Sequence, residues 1–595
     1  MLRGTTLAGQ LAAMGFADTA RAQRLITEDL VLDTAGADSG VLAALAAAAD
    51  PDLALAGLAR MAAQPGDGAA DLRAAVRADP GLRARLVAVL GVSAALGGHL
   101  ARHPGDWRVL QGPEALRRPT AVELREEMLA AVGARPGDHE PVAEPARPPG
   151  TDLAAALRAA YRRRLLHLTA RDLTGAEGLA EVTAELADLA AAALEAALAI
   201  ARSELAPDAA PCRLAVIAMG KCGGRELNYA SDVDLIFVAE AAGAGAAETA
   251  ALRTATRLAT GMIRACSGPG IEDALFPVDA NLRPEGRDGP LVRTLASHRA
   301  YYERWAKTWE FQALLKARPV AGDGELGEAY LAAVRPMVWQ SAQRENFVAE
   351  VQAMRRRVVG SLPGDQAGRE IKLGPGGLRD IEFAVQLLQL VHGRTDETLR
   401  APATLDALAA LASGGYVGRD DAASLAAAYQ FLRCVEHLLQ LRRLRRTHTL
   451  PEDPAVLRQV GRALRAMGQR PGGRDGSPGG DGAAHRDPAD ELIAEWRRHA
   501  SQARRLHEKL FYRPLLEAVA RLPSEAVRLT HEAARARLEA LGYVDPAGAL
   551  RHIEALTSGV SLALRLTSPT WPNLRSPPIR GQSFSPLLNA RITWV

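Results

Sequence analysis

The sequence predicts a predominantly α-helical protein with one α+β domain, a small sheet flanked by helical domains. Three observations lead there. Apolar residues recur at helical spacing over most of the chain, and Gly and Pro cut the pattern into segments. Two short apolar runs, 214–219 and 233–238, are rich in Val and Ile and flank a glycine turn, as buried strands do. Residues 274–283 then alternate apolar and polar, the two-residue period of a half-buried strand.

Taken in order, residues 1–133 read as helices. Residues 18–30 and 51–61 carry the clearest spacing, and Asp50-Pro51-Asp52 reads as a helix start with Pro near its first position. Residues 134–150 are Pro-rich and polar, a linker. Helix resumes over 151–210. Its Arg162-Arg163-Arg164 run reads as a solvated face. Its most apolar stretch, 189–201, contains Glu195 and is too short to span a membrane.

The catalytic candidate occupies 211–335. After the glycine turn, residues 225–229 are expected to begin a helical turn. Gly243-Ala244-Gly245 lacks the third glycine of a dinucleotide loop. Residues 248–266 read as helix, and 297–316 as one aromatic-rich amphipathic helix whose Lys316 and Arg318 reach toward phosphate. Residues 336–466 read as a helical bundle, and 467–489 as a Gly-rich flexible loop. The bundle continues over 490–560. Residues 561–595 have no Asp or Glu and read as an unstructured tail.

The chemistry sits at the second strand's mouth. Asp232 and Asp234 are two apart, so their side chains share a strand face. Asp279 lies on the polar face of the alternating segment with Asn281 and Arg283, and becomes the third carboxylate. Pro277 argues against a central strand and for an edge or a bulge. Oxygen donors of this kind suit Mg²⁺, which binds one or two carboxylates together with substrate phosphates. Gly223 and Gly224 let backbone N–H groups approach a phosphate, helped by Ser231, while Lys221 and Arg283 supply positive charge.

Composition narrows the partners. The chain has 595 residues, 48% hydrophobic and 24% charged, and a net charge of +3. That length suits roughly three or four domains. Near-neutral charge gives little support to a nucleic-acid partner. Of only five lysines, Lys221, Lys307 and Lys316 fall in the candidate catalytic unit. Four cysteines without paired spacing suit reduced thiols in the cytoplasm. The N-terminus shows no signal peptide.

The string MGKCGGRELNYASDVDLIF (219–237) resembles the polymerase-β-like nucleotidyltransferase superfamily. Within it, the string is similar to the glutamine synthetase adenylyltransferase/adenylyl-removing enzymes. VDANLRPEGRDGPLV (278–292), YYERWAKTWEFQALLKAR (301–318), IKLGPGGLRDIEF (371–383) and FLRCVEHLLQLRRLRRTHTLP (431–451) extend the resemblance. Asp380 stands where that family more often has Glu, and Cys222 where it has an aliphatic residue. Cys222 is expected to pack. Asp380 and Glu382 are expected to be structural or to join domains.

The family carries two nucleotidyltransferase units and this chain shows one, like the N-terminal, adenylyl-removing half. The resemblance implies Mg²⁺-dependent removal of AMP from a tyrosine of glutamine synthetase by phosphate, releasing ADP. Asp232, Asp234 and Asp279 would then be the metal-binding and catalytic residues. It also implies a PII-type signal protein as partner, ADP, ATP and phosphate as ligands, and no membrane. Adenylyl transfer from ATP and a silent scaffold are the alternatives. The related uridylyltransferases add a His-Asp metal domain, and no His-Asp dipeptide occurs here.

Overall fold

The structure is a computed structural model. It describes residues 6–33, 36, 38–64, 68–144, 152–243, 247–360, 368–468 and 487–512, with 535, 545–548 and 550. The Gly-rich stretch 470–486, Ala244 and Gly245 of Gly243-Ala244-Gly245, most of the expected bundle beyond residue 512 and the tail 561–595 lie outside them. So does the end of the Pro-rich linker.

Among the described residues are twenty-one α-helices and five strands, which bears out the predominantly helical class with one α+β portion. Several N-terminal helices begin on side-chain caps. Asp50, for example, accepts from Leu53 N–H at 3.0 Å at the start of Pro51–Ala62. Helix α1 (Leu153–Leu173) leads to α2 (Leu179–Ser203), which contains the apolar stretch read from the sequence. Ala residues along α2 let it pack closely. Its buried Glu195 is satisfied by Gly322 N–H at 2.7 Å and Arg202 at 3.2 Å.

The sheet follows. β1 (Cys212–Ala218) pairs antiparallel with β2 (Val233–Ala241), with Ala218 opposite Leu235 and Cys212 opposite Ala241. After α3 (Glu248–Ser267) come β3 (Val278–Asp279) and β4 (Val292–Arg293), both parallel to β2. β5 (Arg318–Gly322) closes the other side of β1. The strand order is β3-β2-β1-β5, so β3 is an edge, where Pro277 is tolerated. β2 is buried from Leu235 to Ala239 because helices cover it: α2 and α3 pack on each other and on the sheet, joined by α4 (Gly324–Gln340).

Four local expectations are corrected. Residues 225–229 form no helical turn, and Arg225 takes a left-handed φ of 53°. The alternating strand shrinks to Val278–Asp279, because Asp279 Oδ1 accepts Asn281 N–H at 2.7 Å and turns the chain. The aromatic helix splits into Leu295–Arg304 and Thr308–Leu314. Glu310 caps the Lys307 N–H at 2.9 Å, starting a new helix and leaving Trp305 73% exposed at the break. In the arginine run only Arg163 is exposed: Arg162 donates to Ala274 O at 3.0 Å and Arg164 pairs with Glu127.

Helix α4 runs through the 335/336 boundary with Pro336 inside it. The bundle beyond contains α5 (Leu378–His392) and α6 (Arg419–Leu441), and Pro488–Phe511 packs on both. Past the end of α6, residues 442–444 form a turn and 445–446 are irregular. No single helix among the described residues is long and apolar enough to cross a membrane.

Candidate active site

The site is built where β2 leaves the glycine turn. Gly220–Gly223 forms one helical turn after β1, and Met219 N–H bonds Asp234 O at 2.8 Å, fixing the turn to β2. Gly220 has φ +53°, and a Cβ there would collide with Asp234 Oδ2. A glycine therefore holds the turn directly against a candidate ligand.

In the sheet register Asp234 stands beside Asp279, and Asp232 lies just before the first residue of β2. The charges of Asp232 and Asp279 both act on Asp234; among the described residues, the His, Cys, Asp and Glu side chains whose ligand atoms close, as a group of three, to within 4.8 Å of one another are instead His99, His103 and Glu272. Burial, then the charges of Asp232 and Asp279, push the Asp234 carboxyl up to about 6, while Arg379 and Lys372 pull the other way. Three mutually repelling carboxylates with oxygen donors only fit a hard divalent cation. Ser231 Oγ donates to Asp232 Oδ1 at 3.4 Å.

Other expected residues are placed differently. Arg283 donates within its own loop, to Ala280 O at 2.8 Å, Gly289 O at 3.1 Å and Arg287 O at 3.3 Å. The Gly223 and Gly224 N–H groups close the helical turn on Met219 O at 2.9 Å and Gly220 O at 3.0 Å. These glycines serve packing: a Cβ on Gly223 would strike Lys316 O. Arg318 donates to Cys222 O at 2.9 Å and Gly223 O at 3.2 Å, bracing the turn, and Lys316 is buried in an ion pair with Glu226. Cys222 packs, and burial pushes its thiol up to about 12.

Lys221 turns toward α6. Its ammonium lies 3.3 Å from Asn228 Oδ1 and 3.4 Å from the fully buried Glu436 on α6. Burial pulls Lys221 down to about 7, against the attraction of Glu436. Glu436 is held well below the usual carboxylate range: burial opposes this, but Lys221, Lys372 and Arg433 outweigh it.

Sequence reasoning missed the second wall. Arg446 pairs with Asp232 Oδ2 at 2.5 Å across 214 residues of chain. Gln440 Oε1 accepts Ala230 N–H at 3.0 Å, and Arg433 donates to Glu226 O at 2.8 Å and Leu227 O at 3.2 Å. The segment before α5 joins this wall, because Ile371 N–H bonds His448 O at 2.9 Å and Glu370 bridges to Thr449. Asp380 is structural, as expected: it receives Arg355 Nε at 2.7 Å and Gly376 N–H at 2.6 Å. The repeated arginines after α6 were the only signal for Arg446, and they do not single it out.

Residues 83–333 match the family model "Glutamate-ammonia ligase adenylyltransferase", and residues 348–511 match "GlnD PII-uridylyltransferase". The carboxylates lie in the first match and the bundle in the second. A bifunctional glutamine synthetase adenylyltransferase/adenylyl-removing enzyme of Streptomyces avermitilis is 56% identical over 94% of this chain and 52% of its own length. The like-named protein of Streptomyces coelicolor is 56% identical over 93% and 52%. That of Mycobacterium tuberculosis H37Rv is 49% identical over 90% and 50%. The chain spans about half the length of these relatives. It is similar, over nearly all of its own length, to the glutamine synthetase adenylyltransferase/adenylyl-removing enzymes.

Proposed function

We propose that the chain is a nucleotidyltransferase that removes AMP from an adenylylated tyrosine of glutamine synthetase. The observation that carries this is the gathering of Asp232, Asp234 and Asp279 at the β2–β3 edge of a chain so similar to those enzymes. Inorganic phosphate is the nucleophile. One of its oxygens bonds the AMP phosphorus, the bond from that phosphorus to the tyrosine oxygen breaks, and the phosphate's proton ends on the tyrosine. ADP and free tyrosine result.

Asp232, Asp234 and Asp279 would hold Mg²⁺, which neutralises charge on the reacting phosphates when bound. The chain's own work is then positioning and electrostatics. Gly220 keeps the turn close to Asp234, Ser231 orients Asp232, and Lys221 supplies a desolvated positive charge. The similarity to proteins with both activities, and to the PII-uridylyltransferase model, supports glutamine synthetase as protein substrate and a PII-type signal protein as regulator.

The test is incubation of the chain with adenylylated glutamine synthetase, orthophosphate and Mg²⁺. ADP release is expected, falling at least about 1,000-fold in Asp232→Asn while the protein substrate still binds. AMP transfer from ATP without any phosphate-dependent ADP would contradict the direction. Binding without either reaction would leave a scaffold.

A further inference from the structure

A second cluster of ligand-type side chains lies where the N-terminal helices meet the segment before β3. The helix Ala94–Arg102 starts on Ser93, whose Oγ accepts Leu96 N–H at 3.2 Å. His103 N–H bonds His99 O at 2.8 Å, so the two histidines stand one helical turn apart on one side, with ring centroids 4.7 Å apart. Glu272 meets them from 169 residues further along the chain, its Oε1 lying 2.8 Å from His103 Nε2. His99, His103 and Glu272 each offer one ligand atom, and these atoms lie within 4.8 Å of one another.

The two nitrogens of His99 are unlike. Nε2 lies 2.8 Å from Asp106 Oδ2, which as a carboxylate oxygen accepts the Nε2–H. In the neutral ring Nδ1 then carries a lone pair, and it is buried with no hydrogen-bond partner among the described residues. His99 as a whole is 1% exposed. A buried acceptor without a donor is uncommon in a folded protein. A carboxylate on one ring nitrogen, with the other nitrogen left over, is how metal-binding histidines are oriented.

The segment bearing Glu272 is fixed as well. The buried Arg158 donates to Glu272 O at 3.1 Å, Ala265 O at 3.0 Å and Gly268 O at 2.8 Å, and Leu275 N–H bonds Cys266 O at 2.9 Å. Arg102 lies 3.4 Å from Glu272 Oε2, which leaves Oε1 to the histidines. Arg102 is half-exposed and also lies 3.7 Å from Asp273, so solvent and a second acid share its charge.

We propose that His99, His103 and Glu272 are three protein ligands of a Zn²⁺-class cation. Two imidazoles and one carboxylate suit zinc, whereas Mg²⁺ takes oxygen donors. Zinc bonds of about 2.0–2.2 Å put tetrahedral ligand atoms roughly 3.3–3.6 Å apart, so the cluster closes by small side-chain rotations. The cation replaces the hydrogen between His103 Nε2 and Glu272 Oε1, and that proton leaves to solvent. Water reaches the remaining position past the partly exposed His103. Bound there, the cation clips the N-terminal helices to the segment that runs into β3 and Asp279, independently of any nucleotidyl chemistry.

The test uses the full chain, stripped by chelator and returned to excess Mg²⁺. Zn²⁺ binding is read by competition with a chromophoric chelator, and coordination by visible absorption after Co²⁺ loading. One tightly held Zn²⁺ per chain and strong tetrahedral Co²⁺ bands are expected in the parent and in Asp234→Asn. His103→Gln and Glu272→Gln should each lose at least about tenfold in Zn²⁺ affinity, with the Co²⁺ bands gone. The Zn²⁺-loaded parent should also unfold at a higher temperature than the stripped one. No Zn²⁺ held by the parent, equal affinity in His103→Gln, or Co²⁺ bands abolished by Asp234→Asn but not by His103→Gln overturns the proposal and leaves His103 and Glu272 a plain ion pair. Should both variants fail to fold, X-ray absorption of the Zn²⁺-loaded parent decides: two imidazole nitrogens on the zinc are expected, and an all-oxygen shell contradicts the site.

Discussion

Asp172 on α1 is buried beneath the glycine turn and accepts from Tyr229 Oη at 2.8 Å. Burial raises its carboxyl to about 6, against the Tyr229 hydrogen bond and the Arg171 charge. The unfolded chain titrates this group near 3.8. Between about pH 4 and 6 the folded state therefore binds more protons than the unfolded one, so stability falls as pH rises through that window. Asp172→Asn keeps an acceptor for Tyr229 and removes the ionisation. Urea unfolding across this range should show the variant gaining roughly 2–3 kcal/mol on the parent between pH 4 and 6. A constant difference would place the titration elsewhere.

At the scale of elements, the glycine turn and β2 were legible because their signals are local: a Val/Ile run, a glycine break and two aspartates two apart. Glycine's roles were less so. Gly223 looked like a phosphate cradle, but its N–H closes its own turn and its missing side chain admits Lys316 O. Gly223→Ala should destabilise the fold by about 3 kcal/mol or more through backbone collision, read as a shift in the urea midpoint. A neutral effect would mean the turn has room to move. β3 was overextended because alternation continues in the sequence after Asp279, whereas the Asp279–Asn281 turn ends the strand. The split of the aromatic helix depended on a capping glutamate inside a continuous helical pattern. Periodicity alone does not expose either stop.

Across the whole molecule, the sheet supplies the acids and the bundle supplies the opposing charges. No local pattern predicts that pairing. Arg446 meets Asp232, and Arg433 meets Glu226, only after some two hundred residues of chain have folded back. Arg433 is fully buried and caps two backbone carbonyls of the segment leading to the aspartates. Arg433→Met should cost about 3–5 kcal/mol, because those carbonyls and Glu436 lose a buried partner. Calorimetry on the full chain checks this. An unchanged transition would mean that the two halves do not depend on this clamp.

The proposed chemistry requires Asp279 to share one cation site with Asp232 and Asp234. Mn²⁺ binding followed by electron paramagnetic resonance measures it without any substrate. The parent should bind Mn²⁺, with Mg²⁺ competing, and Asp279→Asn and Asp234→Asn should each weaken that binding at least about tenfold. Undiminished Mn²⁺ affinity in Asp279→Asn, in a normally folded protein, would contradict the three-carboxylate site.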